Sequence, residues 1–345
     1  MRTRSGLAAA VVVVALTTTA CLPLPRRTSD TGCWRVEGAG AAPTAAASPD
    51  ADRVWFGDGD RIGRLDPATG SVVQSVSVGA EVQVLAAGGD RVAAVDADGA
   101  VSIAQVGADT ATPVTLPSPV VTAAFAPDGA LWAATGTAPG ELVRIDVAAA
   151  SPTTRVTVTR RVTQLAVSDD RLWATSAGTV DEGSFLTGVD TATGSTVAAV
   201  PLPDQPVGLI VDAAGVWVSF QRSALDQLVR YDAATAARAD ALTLCTDSQV
   251  LTAAGGVVWS SGLDSPWVLR IDPAADDVSA TTKLDVKTRA GAATPAGLWI
   301  RDPGDSVWFV DARTMQARRF ALPKVTSTVG RRGTQAAPFA VAAPS

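Results

Sequence analysis

The sequence predicts an all-β protein: a seven-bladed β-propeller with four antiparallel strands per blade. Two observations carry this. A short phrase ending in a tryptophan-bearing strand recurs seven times, and the recurrences stand 38 to 44 residues apart. In order it reads RVWFGD (53–58), RVAAVD (91–96), ALWAAT (130–135), RLWATS (171–176), GVWVSF (215–220), VVWSSG (257–262) and GLWIRD (297–302). Trp55, Ala93, Trp132, Trp173, Trp217, Trp259 and Trp299 hold one repeat position. A second apolar strand ending in aspartate follows each phrase. A period near 40 with four short strands per unit is the mark of a propeller.

The chain opens on a targeting segment, residues 1–20, which stands outside the fold. Arg2 and Arg4 form a basic start, and LAAAVVVVAL follows as an apolar run. That run falls short of the roughly twenty apolar residues that a spanning helix needs. Cys21 after Thr-Thr-Ala resembles a bacterial lipobox, with Thr18 where that pattern has an aliphatic residue. The resemblance implies a lipid-modified Cys21 at the mature N-terminus; ordinary cleavage near Ala20 and secretion is the alternative. Both export the chain. The expected location is the outer face of the cytoplasmic membrane, held by the lipid anchor alone. Residues 21–40 read as anchor and tether, because 22–32 is polar and proline-bearing.

Without Arg2 and Arg4 the net charge is −8, with 26 basic and 34 acidic residues. An acidic chain with no basic block is not a nucleic-acid binder, since that binding rests on clustered Lys and Arg. Of the three cysteines, Cys33 and Cys245 remain as an even pair if Cys21 is acylated. Both belong on one face of the ring, and the eight residues from Cys33 to position 41 reach roughly 27 Å when extended. They can therefore form a disulfide in an oxidising compartment; two unbonded thiols are the other reading.

The propeller is expected over residues 41–322. The third unit is the clearest: VTAAFAPDGALWAAT (121–135) gives two strands around Pro127-Asp128-Gly129, and two more follow with a turn after Asp146. Asp66, Asp146, Asp190, Asp232, Asp272 and Asp311 recur at that turn, with Asp109 in a shifted Asp-Thr-Ala-Thr. Aspartate there closes a turn by accepting backbone N–H bonds two residues on. The tryptophans are expected to pack between blades, each ring burying on the order of 200 Å². Counting strands from 41 to 322 yields seven complete blades, so no strand exchange between chain ends is required, although CWRVEG (33–38) is free to add to the last blade. Residues 323–345 carry no repeat phrase and read as a loosely attached tail.

The wording of DTATGSTVAAVPLP (190–203) and DPATGSVVQSVSVG (66–79) resembles YVTN-type propeller repeats, and FAPDGALWAAT (125–135) resembles the blades of streptogramin lyases and related NHL-like propellers. This resemblance covers nearly all of 41–322. It implies the propeller fold. For the lyases it also implies opening of a cyclic depsipeptide lactone by elimination, with a histidine base and bound magnesium. The chain has no histidine, so that base has no counterpart here.

Lack of histidine also excludes Ser–His and Cys–His nucleophiles and zinc sites of the mixed type. Carboxylates, lysines and hydroxyls remain for acid–base work. No cofactor is predicted, although an all-oxygen divalent-cation site stays compatible with the composition. Function is expected on the face where inter-blade loops and the loops between second and third strands converge. Gln83, Gln164, Gln205 and Gln249 sit there, either lining a polar mouth or satisfying nearby backbone. Acids gather on the same loops: Asp58, Asp60, Asp96, Asp98, Asp181, Glu182, Asp226, Asp264, Asp302 and Asp305. Arg222 and Arg301 sit among them, and Arg160, Arg161, Lys287 and Arg289 lie on neighbouring inter-blade loops. These charges either are simply solvated or make a mixed-charge docking surface with a basic sector near units three, four and seven, and the longest loop, 176–185, belongs to unit four. Trp267 and Trp308 lie outside the repeat register, as surface aromatics or as core. The leading expectation is a non-catalytic binding or scaffold propeller for a protein or peptide at the cell envelope. The alternatives are a channel-centred lactonase- or lyase-like enzyme using carboxylates and a divalent cation, and a glycan-binding propeller.

Overall fold

The computed structural model describes residues 52–168, 170–176, 183–220, 228–244, 248–262, 265–288, 290–302 and 306–322, together with the backbone of 339–342. Among them there is no helix, only strands and turns. Blade 1 takes β1 (Arg53–Asp58), β2 (Arg61–Leu65) and β3 (Val72–Ser77). Blade 2 is β4 (Val82–Gly88), β5 (Arg91–Asp96), β6 (Val101–Gln105) and β7 (Thr112–Val114). Blade 3 is β8 (Val120–Phe125), β9 (Leu131–Thr135), β10 (Gly140–Asp146) and β11 (Ser151–Val158). Blade 4 is β12 (Val162–Val167), β13 (Arg171–Ser176), β14 (Ser184–Asp190) and β15 (Thr196–Leu202). Blade 5 is β16 (Pro206–Asp212), β17 (Gly215–Phe220), β18 (Leu228–Tyr231) and β19 (Arg238–Leu242). Blade 6 is β20 (Val250–Ala254), β21 (Val257–Ser261), β22 (Trp267–Asp272) and β23 (Asp277–Lys283). Blade 7 is β24 (Ala290–Thr294), β25 (Gly297–Arg301), β26 (Ser306–Asp311) and β27 (Ala317–Ala321), and β28 (Phe339–Ala342) lies beyond it.

Each blade is a four-stranded antiparallel sheet, and the innermost strands touch in ring order from β4 through β24 to β28 and back to β4. The seven-bladed, four-stranded architecture read from the repeats is the architecture found. Ring closure corrects one expectation. The stretch before Leu322 does not hold seven complete blades, because the innermost strand of blade 1 is β28. It pairs antiparallel with β1, Arg53 opposite Ala342 and Phe56 opposite Phe339. The C-terminal stretch therefore completes a blade instead of standing apart from the ring as a tail. The physical reason is the edge of β1, whose backbone groups need a partner. Blade 7 has its own four strands without 33–38, and that segment lies outside the described residues.

Six buried tryptophans tie six of the seven blade junctions. Trp132 of blade 3 packs on Leu165, Leu172 and Val189 of blade 4, and Trp173 packs on Leu209 and Val216 of blade 5. Trp217 reaches Val258 and Leu269 of blade 6, Trp259 reaches Leu298 of blade 7, and Trp299 reaches Val54 and Leu65 of blade 1. Trp55 completes the circle against Val92 of blade 2. Ala93 breaks the series, and there Phe125 of the following blade packs into the junction core.

The recurring aspartates close turns as their spacing implies. Asp66 Oδ1 accepts the N–H of Ala68 at 2.9 Å, Asp190 that of Thr193 at 2.7 Å, and Asp311 that of Thr314 at 2.8 Å. These bonds favour the charged form. The Ala68 N–H holds Asp66 below the ordinary 3.8, and the Thr193 N–H does the same for Asp190.

A second repeat element accompanies these aspartates, and the register shows what it faces. Arg64, Arg144, Arg230 and Arg270 stand two residues before that aspartate, each directly across from a tryptophan. Two of them reach the next blade: Arg230 pairs with Asp276 at 2.6 Å, and buried Arg270 donates to the carbonyl of Ala312. Blade 4 has Gly188 at this position, and a Cβ there would sit 2.9 Å from the Trp173 ring.

Tyr231, 4% exposed, is the chain's single tyrosine. Burial raises its pKa from 10.0 to about 12, against a smaller lowering by Arg238. The phenol is therefore expected to titrate near 12 in the folded chain and near 10 in urea, read without interference as phenolate absorbance. A raised pKa contributes stability that is fully present below pH 10 and lost as pH climbs through the folded value. Equal midpoints in both states would contradict the burial of that ring.

Candidate binding cleft between blades 3 and 4

Every blade turns one row of side chains toward the blade before it, starting one residue after the tryptophan position. In blade 5 the row is Val218, Val229 and Ala241, and in blade 7 it is Ile300, Trp308 and Arg319. In blade 1 Phe56 lies over Gly63 so closely that a Cβ would come within 2.3 Å of the ring. Blade 4 carries only Ala174, Thr187 and Ala199 in this row. Interiors close-pack when large residues face small ones. Trp132 of blade 3 fills part of this junction beside Ala174 and Val189, and the small row is left uncovered beyond it.

A cleft of about 230 Å³ stays open at this junction. Its apolar part is Val158 at the end of β11, Val162 at the start of β12, and Ala174. Threonines 157, 159, 187 and 196 supply hydroxyls around it. Ser176 ends β13 opposite Val162 and is 5% exposed. Its Oγ has no hydrogen-bond partner among the described residues. Buried hydroxyls are normally satisfied, so this one asks for an acceptor.

Arg160 lies on the connection from β11 to β12 and lines the cleft. Its guanidinium carbon stands 4.2 Å from the centre of the Phe185 ring, and Nη1 donates to the Gly183 carbonyl at 3.4 Å. Stacking on Phe185 and the bond to Gly183 fix the guanidinium plane. Arg161 is exposed and does not line the cleft.

The other anticipated residues spread around the ring. Gln83 is the bulged residue of β4. Gln164 Oε1 accepts from the Thr175 hydroxyl at 3.3 Å, at the channel side of the same junction. Gln205 is exposed ahead of β16, and Gln249 is half-buried ahead of β20. Trp267 opens β22 with the Lys283 ammonium 5.7 Å from its ring centre. Trp308 is core, 8% exposed, and its Nε1 donates to Asp302 Oδ2 at 3.0 Å. Arg301 is also buried and donates to the Gly57 carbonyl at 2.8 Å, joining blade 7 to blade 1. Cys21, Cys33, Cys245 and Arg222 lie outside the described residues, as do Asp181 and Glu182.

Of the cleft's lining only Arg160 was anticipated from sequence; Ser176, Thr187, Ala199 and the rest were not. The usable signal is the row itself: Ala-Thr-Ala where blades 1, 5 and 7 carry a bulky member, readable once strand partners are known.

On the opposite face a larger groove, about 640 Å³, runs between blades 5 and 6 past Asp212, Arg230 and Asp272. Its acids hold turn backbone: Asp212 Oδ1 accepts the N–H of Ala214 at 2.9 Å and the indole N–H of Trp217 at 3.2 Å. Arg230 is engaged by Asp276, apart from a buried Nε without an acceptor. Structural turns account for most of this polarity.

Residues 82–210 match a family model described as a repeat of unknown function (DUF6923). No curated protein matches the chain. Among solved structures it is similar to apo AztD from Citrobacter koseri, at 11% identity and a TM-score of 0.60, over 84% of this chain and 98% of that one. Kuenenia stuttgartiensis hydrazine synthase is similar at 11% identity and a TM-score of 0.58, again over 84% and 98%. The dihydro-heme d1 dehydrogenase NirN in complex with DHE is similar at 15% identity and 0.55, over 81% of this chain and 65% of that one. At such identities the likeness establishes architecture and leaves chemistry to the site.

Proposed function

We propose that the chain is an exported, lipid-anchored propeller of the cell envelope that binds a peptide or protein partner without catalysing a reaction. Its recognition site is the cleft between blades 3 and 4. The observation that carries this is the pairing of an open cleft with a buried, unpartnered Ser176 hydroxyl. The basic start and apolar run of residues 1–20, and Cys21 behind them, support export and anchoring. A peptide suits the site better than a glycan. The sugar reading leaned on Trp267 and Trp308, and Trp308 is buried with its N–H engaged by Asp302.

The test places a photo-crosslinking residue at Thr196, on the cleft, or at Ala192, on the opposite face of the same blade, in cells that carry the chain. A defined adduct from position 196 and none from 192 is expected. Adducts from both, or from 192 alone, would remove the cleft as the recognition site. Labelled palmitate should enter the wild-type chain and not Cys21→Ala; a wild-type chain that stays unlabelled is not anchored.

A further inference from the structure

We infer that the outer wall of blade 7 docks on anionic phospholipid through Arg313, Arg318 and Arg319, a second membrane contact that turns the cleft between blades 3 and 4 away from the bilayer. This goes beyond the proposed function and rests on its anchored chain, not on what the cleft binds.

Charge is spread unevenly along the sequence. Residues 21–311 carry 20 basic and 34 acidic side chains, whereas 312–345 carry six basic and no acidic ones. Three of those six cations belong to the hairpin of β26 and β27, where Arg313, Arg318 and Arg319 are all exposed. Edge strands are commonly guarded by charge of either sign. β27 is set apart by carrying two arginines and no acid. Of the other outer strands, β3, β7 and β15 have no charged residue, β11 has Arg155 alone, and β19 and β23 mix both signs.

No ion pair joins these three arginines to an acid among the described residues. Asp311 accepts the backbone N–H groups of Arg313 and Thr314. The Arg318 guanidinium carbon stands 5.4 Å from the Phe309 ring centre and 5.6 Å from that of Phe320. Arg319 donates to the Ser306 hydroxyl at 3.1 and 2.8 Å. Of the adjoining segments outside the described residues, 323–338 adds three cations and no acid, and 303–305 adds Asp305. The surface is therefore centred on Arg313 and Arg318.

Complementarity calls for an anionic partner. For a chain tethered at a membrane, the nearest extended anion is the headgroup layer. Such a surface repels the acidic remainder of the molecule and attracts this one wall within a Debye length. Three arginines brought to it favour the docked orientation by on the order of a hundredfold. Blade 7 lies across the ring from the cleft, with blades 4 to 6 on one side and blades 1 to 3 on the other. Docking there presents the cleft outward.

The full lipidated chain is placed in bilayer nanodiscs of phosphatidylcholine alone or with an equal part of phosphatidylglycerol. A photo-crosslinking residue stands at Gln316, beside the arginines, or at Thr196, on the cleft, and lipid adducts are read by mass spectrometry. Position 316 is expected to yield several-fold more adduct in the anionic bilayer, and position 196 little in either. Arg313→Gln, Arg318→Gln and Arg319→Gln together should reduce the anionic yield to the neutral one, while the three lysine replacements should retain it. Equal yields from 316 in both bilayers, adducts from 196 matching those from 316, or a lysine variant that melts like wild type and loses the contrast would each overturn the surface. Polyglutamate bound by the wild-type chain and not by the glutamine variant, with no contrast between bilayers, would assign the arginines to an acidic protein instead. Should Cys21 carry no lipid, the same chains are spun down with vesicles of the two compositions. Sedimentation with anionic vesicles, lost in the glutamine variant, upholds the surface without the anchor; its absence removes the surface as well.

Discussion

Ending the chain after Leu322 is expected to cost the propeller its single cooperative unfolding transition, or to lower its melting temperature sharply. The cut removes β28, and with it every backbone pair on the free edge of β1. Those ladder bonds alone are worth about 3 kcal/mol or more at roughly 1 kcal/mol each. The loss continues beyond them. β28 is also the strand that touches both β24 and β4, so its removal breaks the inner circle of strands between them and leaves blade 1 held by side-chain packing. A net stability of about 5–15 kcal/mol does not absorb both losses easily. Circular dichroism melts of the two chains read the effect directly. If the truncated chain does not accumulate, adding a peptide spanning 335–345 in trans should restore a folded, protease-resistant product. A truncated chain that melts like the full one, with the peptide making no difference, would show that the ring closes by side-chain packing alone.

The second large effect is expected at Trp299, which sits at the same seam. Its ring is fully buried against Val54, Phe56 and Leu65 of blade 1 and tilted on Phe309 at 4.8 Å between centroids. Its Nε1 donates to Asp52 Oδ2 at 2.7 Å, beside a 2.8 Å bond from the Thr294 hydroxyl. Asp52 is itself buried. Trp299→Ala should cost about 3–5 kcal/mol from the cavity alone, and more because a buried carboxylate loses a donor. Trp299→Phe keeps most of the volume and removes the N–H, so a loss of about 1–3 kcal/mol is expected. Urea unfolding of both variants, in wild-type and Asp52→Asn backgrounds, separates packing from the hydrogen bond. A Trp299→Phe chain as stable as wild type would show that the bond to Asp52 contributes nothing.

Most of the fold could be read along the chain, because its cause is local. A tryptophan every 40 or so residues, on a strand that ends before a tight turn, sets blade number and phase without reference to distant contacts. The turn aspartates are equally local, since each bonds N–H groups two and three residues ahead. The end strand was missed because it carries none of these marks. FAVA (339–342) is four apolar residues in a stretch with no tryptophan, aspartate turn or repeat spacing. Its partner is β1, almost three hundred residues away.

The candidate site divides the same way. Arg160 stood out as one of two adjacent cations on an inter-blade loop, and Gln164 as an amide at the channel. Neither marks a cleft by itself. Ala174, Thr187 and Ala199 are unremarkable alone and become a row only when three strands are laid in register. The staple arginines behave alike: the Arg-x-Asp pattern is visible in the text, while its reach to the next blade depends on how the sheets stack.

The sequence by itself determined that this chain forms seven antiparallel blades, and which strand of each carries the packing ring. Periodic burial and turn chemistry act over a few residues, so they leave their record in the order of the letters. Tertiary structure decided which strand closes the circle and where a junction stays open. Both outcomes follow from the match of edges and side-chain volumes between segments far apart in the chain, a match that no local stretch contains.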